Sequence, residues 1–212
     1  TTGSDYCKFG RSAEIIVVDI DPIEHSKKTV LIDKLIISDV GDFLKGLINC
    51  QVSPTTKVWQ NKCIKWKKIF PICEDRFKSG DLVDLYYLSE VLSETLHDSS
   101  VVVTDSGLAE LILPSNIRFK KGMRCIHPSS QGSMGYAIPA AVGAYFSTNQ
   151  PVVAVTGDGS IMMNLQELET IRYHGLPIKV IVINNNAYAV IRKRQVDMFR
   201  TRTIGTDPTN GV

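Results

Sequence analysis

An acid stands between two glycines at Gly157-Asp158-Gly159, directly after the apolar run PVVAVT. Further along, Asn184-Asn185-Asn186 closes a second apolar run, IKVIVI. Each triplet alone is ordinary, because acids beside glycine make turns and Asn suits left-handed turns and helix caps. Together they say more. Both sit at the end of what reads as a buried parallel strand, and the stretch between them, 164–175, reads as the crossover helix. Such crossovers are nearly always right-handed. If the two strands are neighbours, about 4.8 Å apart, Asp158 and Asn185 converge at the carboxyl edge of the sheet, where ligands of such folds bind. A carboxylate oxygen, an amide oxygen and a nearby backbone carbonyl are hard ligands. They suit Mg²⁺, which takes oxygens at about 2.1 Å and leaves part of its shell to phosphate and water. N–H groups at Gly159 and Ser160, near the start of the helix expected from Asn164, would favour a phosphate. The pair therefore points to a metal-bridged diphosphate. Two common phosphate loops are excluded, since the chain has no GxxxxGK[ST] and lacks the third glycine of GxGxxG after Gly157.

The elements that must position these residues follow from periodicity. EIIVVDID (14–21) is a β-branched run, and KLIISDVGDFLKGLI reads as a short strand followed by a helix near 40–49. Residues 51–82 crowd lysines around Trp59, Trp66 and Phe70 and read as a partly helical connector whose lysines form a solvated face. Leu88, Val91, Leu92 and Leu96 share one helical face, and VVVTDSG (101–107) is a strand ending in an acid and a small-residue turn. Residues 133–147 read as a small-residue helix with Pro139 in its first turns, where a missing N–H costs little. Asn164 and Glu167 form a capping-box pattern, and Gly175 and Pro177 stop that helix. A final helix is expected to begin near Ala187. Alternating strands and helices with apolar strands predict an α/β fold with a parallel sheet.

Composition narrows the classes. The chain has 212 residues, 43% hydrophobic and 22% charged, with a formal net charge of +2, so nothing calls for a nucleic-acid partner. Five cysteines without a CxxC pair argue against a zinc site or a disulfide framework and for reduced thiols, hence a cytoplasmic protein. No apolar run is long enough for a membrane span. The N-terminal TTGSDYCKFG has no signal-peptide core and no initiating Met, which predicts a piece of a longer polypeptide.

The combination Gly157-Asp158-Gly159 and Asn184-Asn185, with GSMGYAIPAAVGA (132–144) upstream, resembles the thiamine-diphosphate enzymes, in their acetolactate synthase-like branch. EIIVVDIDPIE and ISDVGDFLKGL resemble the closing part of that family's central domain. The resemblance implies a doubly wound parallel sheet with helices on both faces, the thiamine-diphosphate-binding fold, preceded by the end of a Rossmann-like central domain. The expected domains are the end of the central domain (1–52), a linker (53–82) and a C-terminally truncated diphosphate-binding domain (83–212).

By the same resemblance, Asp158, the side-chain oxygen of Asn185 and the carbonyl of Ala187 would bind Mg²⁺. Gly159 and Ser160 would hold the diphosphate, with Gly157 beside them, and the turn Asp105-Ser106-Gly107 would approach it from the neighbouring strand. The carbonyl of Gly132 and the N–H of Met134 would bond the pyrimidine edge, with the Met134 side chain supporting the bent cofactor. Tyr188 joins this cofactor-binding set. His127 and His174 are left outside the site, since a His in the last turn of a helix commonly complements the dipole.

Two departures from the family pattern stand out. Leu108 and Ala109 replace polar residues after Gly107, so diphosphate contacts there would be backbone or absent, and Ala189 follows Tyr188 where Gly is frequent. No catalytic residue is expected in this segment. The activating glutamate would come from a separate N-terminal pyrimidine-binding domain, so the segment alone is expected to be inactive.

The implied reaction is decarboxylation of a 2-oxo acid such as pyruvate, followed by ligation to a second carbonyl, as in a carboligase, or by protonation, as in a decarboxylase. FAD binding stays open. A homodimer or homotetramer with the active site between subunits is expected. Two further readings remain: a catalytically inactive relative that keeps the fold, and a nucleotide-binding domain using another diphosphate.

Overall fold

The computed structural model describes residues 5–27, 29–50, 56–200 and 202–210. Two compact units divide between Ile64 and Lys65. The expected boundary at 52/53 lies outside the described residues.

In the first unit, β1 (Ile16–Asp19) pairs in parallel with β2 (Lys34–Ile37). Helix α1 (Val40–Asn49) follows β2 and starts at Asp39, whose carboxylate accepts from the N–H groups of Gly41 and Asp42. Such a cap satisfies donors that the first helical turn leaves unpaired. Helix α2 (Lys57–Ile69) spans the division between the units.

The second unit carries the larger sheet. Its strands are β3 (Val101–Thr104), β4 (Arg124–Ile126), β5 (Val152–Gly157) and β6 (Ile178–Ile183), all parallel, in the spatial order β4-β3-β5-β6. Helices fill the connections: α3 (Leu85–Thr95) before β3, α4 (Leu108–Asn116) between β3 and β4, and α5 (Ala137–Thr148) between β4 and β5. Short α6 (Asp158–Ile161) and α7 (Glu167–Tyr173) lead into β6, and α8 (Ala189–Met198) follows it.

Alternation along the strands explains the two layers. Successive side chains of a strand point to opposite faces. Val102, Val153 and Val155 accordingly pack with Leu92, Leu96, Ala109 and Leu113 from α3 and α4. Val101, Val103, Val152 and Ala154 pack on the other face with Ala137, Ile138, Ala141 and Ala144 of α5. Each such Val or Leu taken wholly out of water contributes about 1.5–3 kcal/mol. The sheet is therefore doubly wound, as expected. The chain leaves β3 towards β4 and returns to β5 on the other side, so the strand order reverses between β3 and β5. Such a switch point opens a crevice at the carboxyl ends of the strands.

Three local expectations change. The small-residue helix begins at Ala137, because residues up to Tyr136 form turns in which Gly135 has φ +80°. The final helix begins at Ala189, not near Ala187. The Asn164–Glu167 capping box does not form. The amide of Asn164 donates to the Gly135 carbonyl at 2.8 Å, α7 starts only at Glu167, and Glu167 accepts from the Thr170 hydroxyl. Asn164 serves a long-range tether in place of a cap.

Candidate cofactor site

The switch-point crevice is a cavity of about 390 Å³. It lies among the turns after β3, β5 and β6. All of the residues proposed from the sequence line it. Ser106 and Gly107 come from the β3–α4 turn, and Gly132 and Met134 from the approach to α5. Gly157, Asp158, Gly159 and Ser160 come from the end of β5 and α6; Asn185, Ala187 and Tyr188 follow β6.

The convergence of Asp158 and Asn185 has a register behind it. β5 and β6 are hydrogen-bonded neighbours, with Gly157 opposite Ile183. Asp158 and Asn184 are thus the next residues on adjacent chains, and Asn185 lies one further on. Asp158 Oδ1 accepts from the Gly159 N–H at 2.9 Å, and Asn185 Oδ1 accepts from the Ala187 N–H at 3.0 Å. The Gly159 N–H is therefore engaged by the acid beside it, contrary to the sequence reading that left it free for a phosphate.

Gly159 is required by close approach. A Cβ there would stand 2.1 Å from Cε1 of Tyr188, so only glycine lets the ring lie against this turn. Tyr188 is held in turn by its N–H, which donates to the Thr206 carbonyl at 2.9 Å. The 203–210 segment is tied back onto α8, with Arg192 3.1 Å from the Asp207 carboxylate. The Thr209 hydroxyl, and then the charge of Arg192, hold the Asp207 carboxyl below the usual carboxylate range.

Asp105, expected from the resemblance in a turn approaching the diphosphate, is instead turned into the protein, a structural role the sequence did not supply. Its side chain is wholly buried, and each oxygen accepts twice. Oδ1 takes the N–H groups of Ser106 at 2.9 Å and Gly135 at 3.0 Å. Oδ2 takes the Ala137 N–H at 3.1 Å and the Thr156 hydroxyl at 2.9 Å. One carboxylate therefore ties the end of β3, the start of α5 and the end of β5, and it fixes the Gly132–Met134 wall relative to Gly157. For this inward role the sequence offered no signal beyond an acid at a strand end, which equally describes Asp158.

Glu110, in the first turn of α4, also lines the cavity. It is mostly buried, and its Oε1 stands 4.0 Å from His127 Nδ1. That exceeds hydrogen-bond reach, and His127 Nδ1 is buried without a hydrogen-bond partner. Leu108, Leu111, Val190 and Ile191 supply an apolar wall. Among the described lining residues there is no Lys, Arg or His, and the charged ones are Asp158 and Glu110. Among the described residues no group of three His, Cys, Asp or Glu side chains could hold a metal.

A doubly wound sheet with glycine-rich turns around a switch-point crevice defines an α/β domain of the kind that binds ligands at the carboxyl ends of its strands. Residues 105–211, half of the chain, match the family described as "Thiamine pyrophosphate enzyme, C-terminal TPP binding domain". The chain belongs to the thiamine pyrophosphate enzyme family. It is 31% identical to the acetolactate synthase large subunit of Cyanidium caldarium, over 96% of this chain and 35% of that protein. It is also 31% identical to the acetolactate synthase isozyme 2 large subunit of Escherichia coli (strain K12), over 95% of this chain and 36% of that one. The chain thus spans about a third of the length of these relatives. Its fold matches the thiamine diphosphate-dependent 4-hydroxybenzoylformate decarboxylase of Rhodococcus jostii RHA1, with a TM-score of 0.70, 23% identity, and coverage of 94% of this chain and 36% of that one. Among the described residues, no helix is long and apolar enough to cross a membrane.

Proposed function

We propose that this chain supplies the diphosphate-binding part of a thiamine-diphosphate- and Mg²⁺-dependent carboligase acting on a 2-oxo acid such as pyruvate. The observation that carries this reading is the charge of the cavity. A diphosphate would meet two carboxylates there and no cationic side chain among the described lining residues. A divalent cation held by Asp158 would remove the conflict, and hard oxygens suit Mg²⁺. The residues fit that group: Asp158 and Asn185 follow adjacent strands and open on one cavity.

On this reading Asp158, the Asn185 side-chain oxygen and the Ala187 carbonyl hold the metal. Gly159 and Ser160 contact the diphosphate, with Gly157, Ser106 and Gly107 giving it backbone room. If Asp158 held the metal, the Gly159 N–H it now occupies would become available to the diphosphate. Gly132 and Met134 face the pyrimidine, and Tyr188 closes the turn over Gly159. When bound, the cofactor supplies the nucleophile and the electron sink for decarboxylation. The chain's own contribution is to orient it, clamp its charge and exclude water along the Leu108, Leu111, Val190 and Ile191 wall. The active assembly is a homodimer or homotetramer.

The lack of a cationic lining residue also favours a second reading. No described lining residue offers a counterion to the carboxylate of an acceptor 2-oxo acid, which suits a decarboxylase. Product analysis with pyruvate separates the two: acetolactate marks the carboligase and acetaldehyde the decarboxylase. The cofactor reading itself is tested by calorimetric titration of the full-length protein with thiamine diphosphate. Binding should require Mg²⁺ and weaken at least about tenfold in Asp158→Ala, the loss of one charge-assisted contact. Equal binding in the presence of a chelator would overturn the metal clamp.

A further inference from the structure

Ala187 and Tyr188 share one peptide unit, and its N–H is already committed: it donates to the Thr206 carbonyl at 2.9 Å. A trans peptide is planar, so its carbonyl and its N–H point in opposite directions. Fixing this N–H on Thr206 therefore fixes the aim of the Ala187 carbonyl, away from Thr206. Ala187 lines the cavity, whereas Thr206 does not.

A side chain of α8 holds Thr206 in place. Gln195 Nε2 donates to the Ile204 carbonyl at 3.1 Å, and Gln195 Oε1 accepts the Ile204 N–H at 3.2 Å and the Thr206 hydroxyl at 3.3 Å. One amide thus meets the backbone of Ile204 as a neighbouring strand would, with a donor and an acceptor matched to it. Other ties are weaker or do not reach α8. The Arg192–Asp207 pair joins α8 to the same segment, but the Arg192 side chain is half exposed, where ion pairs contribute little. The Asn210 amide accepts from the N–H groups of Thr206 and Asp207, which are bonds within the segment.

We propose that Gln195 is a positioning residue for the metal: through Ile204 and Thr206 it sets the direction of the Ala187 carbonyl. This rests on the reading that makes that carbonyl a Mg²⁺ ligand. Groups behind the ligands of a metal commonly change its affinity by about 10- to 100-fold. Mg²⁺ demands a near-ideal octahedron with short bonds, whereas Ca²⁺ accepts longer and less regular ones. A misaimed carbonyl therefore weakens Mg²⁺ binding more than Ca²⁺ binding, while a general loosening of the fold weakens both alike.

The test measures dissociation constants of thiamine diphosphate by calorimetry on the full-length protein, with Mg²⁺ or Ca²⁺ at one fixed concentration. Gln195→Met keeps the length of the side chain and removes its hydrogen bonds. It should weaken Mg²⁺-supported binding about tenfold and Ca²⁺-supported binding clearly less. Gln195→Glu keeps the two bonds accepted by Oε1 and should recover part of the Mg²⁺-supported affinity. Circular-dichroism melting establishes that each variant is folded, and the metal comparison is read from Gln195→Glu if Gln195→Met is not. A Mg²⁺-supported affinity within about twofold of wild type, or an equal loss with both metals, overturns the inference while the cofactor reading stands. If the wild type binds no thiamine diphosphate with Mg²⁺, both fall together.

Discussion

Replacing Asp105 by Asn perturbs the junction that holds the cavity walls together, and the structure allows the cost to be worked out. The carboxylate accepts from Ser106 N, Gly135 N, Ala137 N and the Thr156 hydroxyl. An amide keeps one acceptor oxygen and turns the other position into a donor. Facing that donor towards Ser106 and Gly135 would oppose two N–H groups. Facing it towards Ala137 and Thr156 is cheaper, because the Thr156 hydroxyl can rotate to accept. The buried Ala137 N–H is then left opposite another donor, at about 1–3 kcal/mol, and the two retained bonds lose their charge assistance, about 1 kcal/mol each. Relief of the desolvation of a buried charge offsets part of this. A net loss of about 2–3 kcal/mol remains, of the size expected when a buried hydrogen-bond network is broken. Native-state hydrogen exchange at Val103 and Val155, in the core of β3 and β5, reports it. Where exchange proceeds by opening of this unit, protection should fall about 30- to 150-fold. Protection within threefold of wild type would show that Asp105 does not hold these elements together, and the account of the cavity wall would fail.

Two further outcomes follow from local geometry. Gly159→Ala places a methyl 2.1 Å from the Tyr188 ring, and overpacking of this kind costs about 1–3 kcal/mol; the thermal midpoint should drop by several degrees, and Gly159→Ala/Tyr188→Ala should recover it, so a single variant as stable as wild type refutes the close approach. Burial pushes the Cys125 thiol up to about 11 from an ordinary 9.0. The folded state therefore favours the protonated thiol, so its contribution to stability is complete below pH 9 and is lost between about pH 9 and 11. Alkylation at pH 8 followed by mass spectrometry should label exposed Cys7 and Cys50 well before Cys125, and equal rates would contradict the burial.

What was legible in the sequence, and what was not, divides along the range of the interactions. The strands β3, β5 and β6 announced themselves because β-branched runs bounded by small-residue turns have few alternatives. Asp158 and Asn185 announced themselves as strand-end residues one crossover helix apart, whereas Ser106, Gly107, Gly132, Met134 and Tyr188 came through the resemblance to the thiamine-diphosphate enzymes. The reading failed where a side chain's partner lies far along the chain. Asn164 followed by Glu167 satisfies the local grammar of a helix cap, yet its amide is taken by Gly135, 29 positions away. That tether is available because Gly135 has no side chain: a Cβ there would lie 2.6 Å from Met163 Cβ and 2.9 Å from Asn164 Nδ2.

The same point separates the two acids that follow β3 and β5. Thr104-Asp105-Ser106-Gly107 and Thr156-Gly157-Asp158-Gly159 look alike as strand-end turns, and nothing local tells which acid meets a ligand. Hydrogen-bond saturation separates them. Asp105 is sealed from solvent, with both oxygens filled by groups of β3, β5 and the approach to α5. It has no capacity left for a metal. Asp158 is engaged by the N–H of its own neighbour alone and opens on the cavity. Moving the acid one position, from directly after a threonine to between two glycines, takes it out of the reach of α5. In one turn the carboxylate organises the fold; in the other it keeps acceptor capacity open to the cavity. The exchange Asp158→Asn should therefore leave hydrogen-exchange protection of β5 near wild type while weakening Mg²⁺-dependent cofactor binding, the reverse of Asp105→Asn, where protection collapses first. Equal loss of protection in both variants would show that the two acids share one structural role.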